Sequence, residues 1–283
     1  MSKRGRYDAR HSSIRVTPHF VVRVVHLQRS MKNACLRIVH IVQPSRLFLL
    51  AAENVPLSQQ NKINDPIARL MGLRYKSHPW HGIEVGEAAP DVITAFIEMV
   101  PTDTVKYELD KVSGYLKIDR PQKYSNVVPA LYGFVPQSFC GDKVADYCMQ
   151  QSGRTDIVGD GDPLDICVLT ERDIVHGDII CEVKPIGGFR MLDGNEADDK
   201  IIAVLTHDVT YSSYNDISEL PKGVVNRLKH YFLTYKDMPD SEKAKKVEIV
   251  DVYGREEAQE IINRSLEDYK CHFDGLDEIL RHV

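Results

Sequence analysis

The sequence predicts an α+β protein in which helices pack on a barrel or sheet of strands. The middle of the chain, residues 93–205, contains short apolar runs separated by turns rich in Gly, Pro and Asp. The C-terminal part instead has apolar residues at helical spacing. A run of strands followed by helices is typical of the α+β class. The chain has 283 residues, of which 43% are hydrophobic and 27% charged, as in ordinary globular proteins.

The strands are predicted from apolar runs bounded by turn residues. Val105–Leu109 and residues 115–118 alternate in polarity and are joined by the turn-forming segment 110–114, which indicates a hairpin. The pair Gly187-Gly188 is expected to separate two strands, and Asp193-Gly194-Asn195 to form a turn. The other strands are predicted at Ile93–Met99, 166–169, 179–186, 189–192 and Lys200–Leu205.

The helices are predicted from stripes of apolar residues spaced three and four apart. Pro221 stands near the start of the first stripe, a position that proline favours in helices. A second stripe covers residues 255–269, and a short amphipathic helix is expected at residues 66–73. The first stripe consists of Val224, Val225, Leu228, Tyr231, Phe232 and Tyr235.

The N-terminal segment differs in charge from the rest of the chain. Residues 1–50 hold ten Lys and Arg side chains and a single acid, Asp8, whereas the remaining residues carry a net charge of about −14. We therefore divide the chain into a basic, poorly packed segment, 1–54, and one domain, 55–283. The basic segment fits a transit peptide, a nucleic-acid arm, or an upstream stretch translated without a role. The acidic domain argues against nucleic acid as its partner.

The cysteines and the apolar runs bear on where the protein resides. The six cysteines are scattered without a C-x-x-C pair, which argues against a structural zinc site and indicates reduced thiols. No apolar run approaches the ~18–20 residues that span a bilayer. These features predict a cytoplasmic protein that has no membrane partner. An organelle is the alternative if residues 1–54 act as a transit peptide.

An acidic cluster, Asp160, Asp162 and Asp165, lies within six residues. Carboxylates this close repel one another unless a cation lies between them. Gly161 and Pro163 permit a bend that brings the three together, and such hard oxygen ligands favour Mg²⁺ or Mn²⁺. A solvated acidic turn is one alternative, although the apolar strand that follows would anchor the turn to the core. An EF-hand is another, but Asp165 stands where its loop requires glycine.

A second acidic group, Asp193, Glu196, Asp198 and Asp199, precedes Lys200. By itself this group predicts a polar hairpin tip. Beside the first cluster, a hairpin that carries Asp193 and Asp198 can complete a site for several metal ions, an arrangement that promotes phosphoryl transfer. A phosphoanhydride substrate would also require cations and phenols, and the sequence offers Lys106, Arg120, Lys200, Lys236, Tyr132 and Tyr235.

An ordered set of motifs runs through roughly residues 91–250. Residues 160–169 read Asp-x-Asp-Pro-x-Asp followed by an apolar run. This set resembles the soluble inorganic pyrophosphatases of family I, in which that motif is the signature. The other matching positions are Glu98, Lys106-Tyr107-Glu108, Asp119-Arg120, Tyr132-Gly133, Pro185-Ile186-Gly187, Asp193, Asp198-Asp199-Lys200, His230-Tyr231-Phe232 and Tyr235-Lys236-Asp237.

The resemblance implies a fold, a reaction and a set of site residues. The fold is a five-stranded OB-like β-barrel with flanking α-helices, and the protein would be a homo-oligomer, either a dimer or a hexamer. The reaction is hydrolysis of pyrophosphate to two phosphates with several Mg²⁺ ions, for which Mn²⁺ can substitute. Asp162 would take the proton from the attacking water. The metal-binding residues would be Asp160, Asp165, Asp193, Asp198 and Glu98. The substrate-binding residues would be Lys106, Arg120, Tyr132, Lys200, Tyr235 and Lys236, with Lys200 supporting the site.

The sequence also departs from the family pattern and leaves rival interpretations. Val128 and Leu131 replace a Tyr and an Asn that commonly precede Tyr132, and residues 138–158 form a longer connection than in compact bacterial members. One rival is a metal-dependent transferase that holds a nucleotide diphosphate through its D-x-D, which would need a nucleotide-binding βαβ region. Another is a silent metal-binding scaffold. His78 and His81 flank Trp80 and are interpreted as a packed loop rather than as metal ligands.

Overall fold

The computed structural model describes residues 76–236 and 247–281, together with four short strands near the N-terminus. The chain divides into two units, Met1–Leu73 and Arg74–Val283. In the first unit, successive strands pair antiparallel. The helix predicted at residues 66–73 lies outside the described residues, and the division at residues 54 and 55 stays a prediction. The four strands are β1 (Ser13–Arg15), β2 (Val21–Arg23), β3 (His40–Gln43) and β4 (Arg46–Leu47).

The second unit combines a mixed sheet with helices, so the predicted α+β class is confirmed. None of its described helices is long and apolar enough to cross a membrane. A single 3₁₀ turn, Ile217–Glu219, precedes the second helix. The strands are β5 (Ile93–Met99), β6 (Val105–Leu109), β7 (Leu116–Pro121), β8 (Leu131–Phe134), β9 (Val158–Gly159), β10 (Asp165–Leu169), β11 (Ile179–Asp193), β12 (Glu196–Ala197), β13 (Lys200–Leu205) and β14 (Val247–Gly254). The helices are α1 (Asp142–Ser152), α2 (Lys222–Thr234) and α3 (Arg255–Arg281).

Five strands form a closed ring at the centre of this unit. The hydrogen-bonded order is β13, β10, β8, β5 and β11, and β11 also pairs with β13. Only β10 and β13 are parallel within the ring; its other pairings are antiparallel. Nearly every residue of β10 and β13 is buried, which explains their continuous apolar sequences. Helix α2 packs Leu228 and Phe232 on one side of the strands, and α3 packs Ala258 and Ile262 on the other.

The prediction of two separate strands, 179–186 and 189–192, is wrong, because the single strand β11 covers both ranges. The structure keeps one strand through both glycines, with a bulge between Pro185 and Gly187 where it meets β13. Gly187 has a φ of +155°, and a Cβ there would lie 2.5 Å from the carbonyl oxygen of Tyr253 on β14. The glycines therefore bend the strand and admit β14, so that β11 pairs in turn with β5, β13 and β14.

The elements β8, β9, β12, β14 and α1 were not predicted. Helix α1 occupies about half of the connection 138–158. The first turn of α1 is capped by a distant side chain, because Asp268 of α3 accepts N–H groups of Gly141, Lys143 and Val144 at 3.1 Å. Helix α3 continues to Arg281, beyond the predicted end at residue 269. The hairpin of β6 and β7 is confirmed, although β7 begins and ends later than residues 115–118.

The close packing of β8 against β5 in the ring can be tested at Gly133. An added Cβ would overlap the carbonyl oxygen of Phe96 on β5. We expect Gly133→Ala to lower the free energy of unfolding by about 3 kcal/mol, as overpacking of a dense core does. Gly223→Ala, in the first turn of α2 with nothing within 4 Å of its added Cβ, is the matched control. It should leave stability unchanged or raise it by about 0.5–1 kcal/mol. Urea titration of both variants measures this, and equal stabilities would contradict it.

Candidate active site

A cavity of about 240 Å³ opens where the β6–β7 hairpin, the segment 160–165, the turn between β11 and β12, and the end of α2 meet. Its wall contains every residue to which the sequence assigns a role. Their individual functions as base, metal ligands or phosphate-binding groups stay predictions. These residues are Glu98, Lys106, Arg120, Tyr132, Asp160, Asp162, Asp165, Asp193, Asp198, Lys200, Tyr235 and Lys236.

The segment 160–165 bends as its Gly suggested. Gly161 has a φ of +73°, and the Asp162 N–H donates to Asp160 Oδ1 at 2.9 Å, which closes a tight turn. Leu164 is fully buried and anchors the turn in the core. The alternative of a purely solvated acidic turn is therefore wrong, because the bend is tied to the interior on both sides.

A neighbouring stretch, residues 135–140, fixes this segment by hydrogen bonds to the segment's main chain. The N–H of Leu164 donates to Ser138 Oγ at 2.8 Å, and the N–H of Cys140 donates to the carbonyl of Asp162 at 2.8 Å. Val135 N–H donates to the Leu164 carbonyl at 2.9 Å. These bonds determine where the carboxylates at residues 160, 162 and 165 lie.

A β-bulge aims Glu98 into the cavity. On β5, Ile97 pairs with Gly133 and Met99 with Tyr132, so Glu98 is the extra residue. Its side chain is 7% exposed and its Oε1 accepts the N–H of Leu109 at 2.7 Å. The bulge therefore turns a carboxylate out of a strand whose other residues fill the core.

A second bulge arranges the basic residues of the hairpin. Lys106 and Arg120 are cross-strand partners, and Asp119 is the extra residue next to them. The Asp119 carboxylate lies 3.3 Å from the Lys106 ammonium and also contacts the Arg120 guanidinium. At the end of α2, Tyr235 stacks on Tyr231, and Lys236 forms an ion pair with Asp193. Two separate elements thus present cations to the same cavity.

Lys200 lies at the base of the cavity between two carboxylates. Its side chain is 2% exposed and its ammonium contacts both Asp165 and Asp198. Burial opposes this charge, but the two aspartates outweigh burial and hold the pKa of Lys200 well above its usual range. Tyr132 donates its hydroxyl hydrogen to Asp165 at 2.6 Å. Lys200 therefore acts in this structure as the counter-charge of the acidic cluster.

The negative charges of the other acidic side chains are not fully neutralised by neighbouring cations. Burial, followed by repulsion from Asp165, raises the pKa of Glu98 to about 8. Burial, followed by repulsion from Asp198 and Asp165, raises the pKa of Asp160 to about 8. Within the described residues, no three His, Cys, Asp or Glu side chains are positioned together to hold a metal ion. The acid excess and the hard oxygen donors nevertheless fit a divalent cation in this cavity.

Sequence reasoning gave no role to several residues that line the cavity. Glu108, one of the positions that match the family, could have been given one, because it lies two residues after Lys106 on a strand and so shares its face. Lys111 has no local signal, since its place depends on how the hairpin packs. Trp80 is buried in the loop predicted around His78 and His81, and its indole N–H donates to the Ser138 carbonyl at 2.7 Å. Glu196, named in the second acidic group but given no role, also lines the wall.

Comparisons with known proteins identify the family. The family model for inorganic pyrophosphatase matches residues 95–270. The chain belongs to family I of the inorganic pyrophosphatases. It is 53% identical to an inorganic pyrophosphatase of Chlamydia trachomatis serovar L2, over 68% of this chain and 94% of that protein. It is 38% identical to the soluble inorganic pyrophosphatase 2 of Chlamydomonas reinhardtii, over 70% of this chain and 91% of that protein.

A solved structure agrees with this assignment. The crystal structure of inorganic pyrophosphatase from Thermus thermophilus matches with a TM-score of 0.57 and 29% identity. The match covers 69% of this chain and 99% of that one. The predicted family and the predicted enzyme class, an inorganic diphosphatase, are confirmed by these relatives.

The unbalanced acids of this pyrophosphatase predict how its stability without metal depends on pH. Glu98 and Asp160 have pKa values of about 8 in the folded chain, well above those of free carboxyls. The folded state then keeps protons that the unfolded state releases, so stability is lost as pH rises from about 4 to about 8. In EDTA, Tm should be at least about 3 °C lower at pH 8 than at pH 6, and MgCl₂ should raise Tm more at pH 8.

Matched variants separate this effect from the rest of the titration. Asp160→Asn should remove part of the pH dependence of Tm in EDTA. Asp146→Asn, at an exposed position on α1, should retain all of it. Differential scanning fluorimetry at the two pH values measures both. A wild-type Tm that rises from pH 6 to pH 8, or equal slopes for the two variants, would contradict the expectation.

Proposed function

We propose that the cavity hydrolyses inorganic pyrophosphate to two phosphates with divalent metal ions, Mg²⁺ by preference and Mn²⁺ as a substitute. The observation that carries the proposal is the meeting of the acidic segments 160–165 and 193–198 with Lys106, Arg120 and Lys236 around one space of about 240 Å³. A phosphoanhydride is a polyanion, so it needs cations on the protein. Carboxylates beside it are compatible only with added metal ions.

The metal-binding residues we propose are Asp160, Asp165, Asp193, Asp198 and Glu98. Oxygen donors of this kind suit Mg²⁺, and the raised pKa values of Glu98 and Asp160 indicate that a cation would be stabilised here. When bound, divalent metal ions activate water as Lewis acids and neutralise phosphate charge. Lys200 limits the repulsion between Asp165 and Asp198 and keeps both oriented.

The chain's own residues then carry out binding and proton transfer. Lys106, Arg120, Tyr132, Tyr235 and Lys236 bind phosphate oxygens and orient the substrate for in-line attack. Asp162 accepts one proton from the attacking water while the oxygen of that water forms a bond to one phosphorus of pyrophosphate. The bond from that phosphorus to the bridging oxygen breaks, and the departing phosphate keeps the electron pair. The hydrogen bond from the Asp162 N–H to Asp160 fixes the main chain that carries this base.

Some wider expectations also belong to the proposal. We propose that the ring of five strands is the OB-like barrel of this family, which the closure of β11 on β13 supports. A cytoplasmic location is supported by buried, unpaired thiols at Cys140, Cys148 and Cys167. The protein is proposed to be a homo-oligomer whose ligands are pyrophosphate and phosphate. Residues 55–283 are proposed as its single catalytic domain.

Phosphate release is the direct test of the reaction. With MgCl₂, the purified chain should release phosphate from pyrophosphate at least about tenfold faster than from ATP, because a nucleoside would have to fit into a cavity of about 240 Å³ whose described lining is mostly charged. EDTA should abolish the release and added MgCl₂ or MnCl₂ should restore it. Equal or faster hydrolysis of ATP would contradict the proposal, as would full activity in EDTA.

Replacement of Asp162 tests the proton acceptor. Asp162→Asn removes the basic group while keeping its shape, so kcat for pyrophosphate should fall about 10²–10⁴-fold. The fold and Mg²⁺ binding should be retained, as measured by circular dichroism and by the rise of Tm with MgCl₂. Asp146→Asn, at an exposed position outside the cavity, is the matched control and should keep wild-type kcat. A near-normal kcat for Asp162→Asn would remove this residue from the role of base.

A further inference from the structure

A fifth cation of the cavity, Lys111, lies at the tip of the β6–β7 hairpin. Its ammonium forms an ion pair with Asp162, the proposed base. The same ammonium lies 5.9 Å from the centroid of the Trp80 ring. Both partners line the cavity together with Lys111 itself. The hairpin thus delivers a positive charge to the one carboxylate that must be available for a proton.

The backbone of the hairpin tip is held in place. Asp110 accepts hydrogen bonds from the N–H of Ser113 at 2.8 Å and from its hydroxyl at 2.7 Å. His78 Nε2 donates to the Lys111 carbonyl at 3.2 Å. Gly114, with a φ of +73°, packs so closely on the His78 ring that an added Cβ would lie 2.8 Å from it. The main chain at the tip is fixed, so a change of partner by Lys111 requires only its side chain to move.

The ion pair with Asp162 is suited to exchange. The side chain of Lys111 is 46% exposed and that of Asp162 41%. Water screens an ion pair of this exposure, so little is lost when it separates. Lys200, by contrast, is buried between two carboxylates. Among the cations that line the described cavity, Lys111 therefore contacts the proposed base Asp162 and can leave it at a small cost in free energy.

We propose that Lys111 binds a phosphate oxygen of incoming pyrophosphate and, in doing so, leaves Asp162. This inference rests on the proposed function of the cavity. A phosphate oxygen of a polyanion is a stronger acceptor for an ammonium than a single carboxylate that is shared with water. Release exposes the Asp162 oxygen, which then accepts the proton of the attacking water. Substrate binding and activation of the base are thereby coupled through one side chain.

Steady-state kinetics test the substrate contact. Lys111→Gln should raise KM for pyrophosphate about tenfold, the loss expected for a charge-assisted hydrogen bond at a partly exposed site. Its kcat should stay within about twofold, because Asp162 is free in the substrate complex either way. Lys111→Arg keeps the charge and should restore most of the affinity. Lys117→Gln removes the same charge from an exposed position of the same hairpin outside the cavity and should leave KM unchanged.

Three kinetic results would overturn the inference. An unchanged KM for Lys111→Gln would show that Lys111 does not contact substrate. A lowered kcat at unchanged KM would place its effect elsewhere. An equal rise of KM for Lys117→Gln would reduce the effect to the overall charge of the hairpin.

The single tryptophan gives a second measurement that does not depend on turnover. Trp80 is the one Trp of the chain, and its ring faces the Lys111 ammonium. Inorganic phosphate titrated into wild-type protein at fixed MgCl₂ should change Trp80 fluorescence saturably, and the Lys111→Gln variant should lose most of that change. Equal amplitude and midpoint in the two proteins would overturn the inference. A wild-type protein that does not hydrolyse pyrophosphate would refute the proposed function, while this titration would still decide whether Lys111 exchanges its partner for phosphate.

Discussion

The buried ammonium of Lys200 between Asp165 and Asp198 is the contact around which the site is built. Two aspartates that share one buried cation cost far less free energy to bury than two isolated charges. The contact also joins neighbouring strands, because Asp165 begins β10 and Lys200 begins the parallel strand β13 directly opposite. Pairing of these two strands therefore assembles the centre of the site at the same time as the ring.

Bulges and glycines in the strands place side chains and neighbouring strands where regular strands would not. A regular β5 would alternate its side chains between the two faces, and the bulge at Glu98 turns a carboxylate towards the cavity. The bulge at Asp119 places a carboxylate beside both Lys106 and Arg120 and so keeps these cations near each other despite their repulsion. The glycines of β11 extend the same principle, since they let one strand pair with β5, β13 and β14 in addition to β12.

Local patterns in the sequence predicted the parts whose causes are local. The apolar runs of β5, β10 and β13 and the stripe of α2 reflect burial of each element by itself, and the motif residues proved to share one cavity. The misses have distant causes. Helix α1 depends on a cap from Asp268 on another helix, and the contact of Lys111 with Asp162 depends on how the hairpin packs. No window of neighbouring residues contains either piece of information.

The acidic and basic side chains of the cavity come from different segments, and this distribution of charge determines which ligands the cavity can bind. Eight carboxylates and five cations line its described wall, so a free polyanion meets a net negative charge. Most acids come from segments 160–165 and 193–198, whereas Lys106, Lys111 and Arg120 come from the hairpin and Lys236 follows α2. A ligand that is cationic on one side and anionic on the other matches both walls. A pyrophosphate that arrives with divalent metal ions has this distribution of charge, and neither component has it alone.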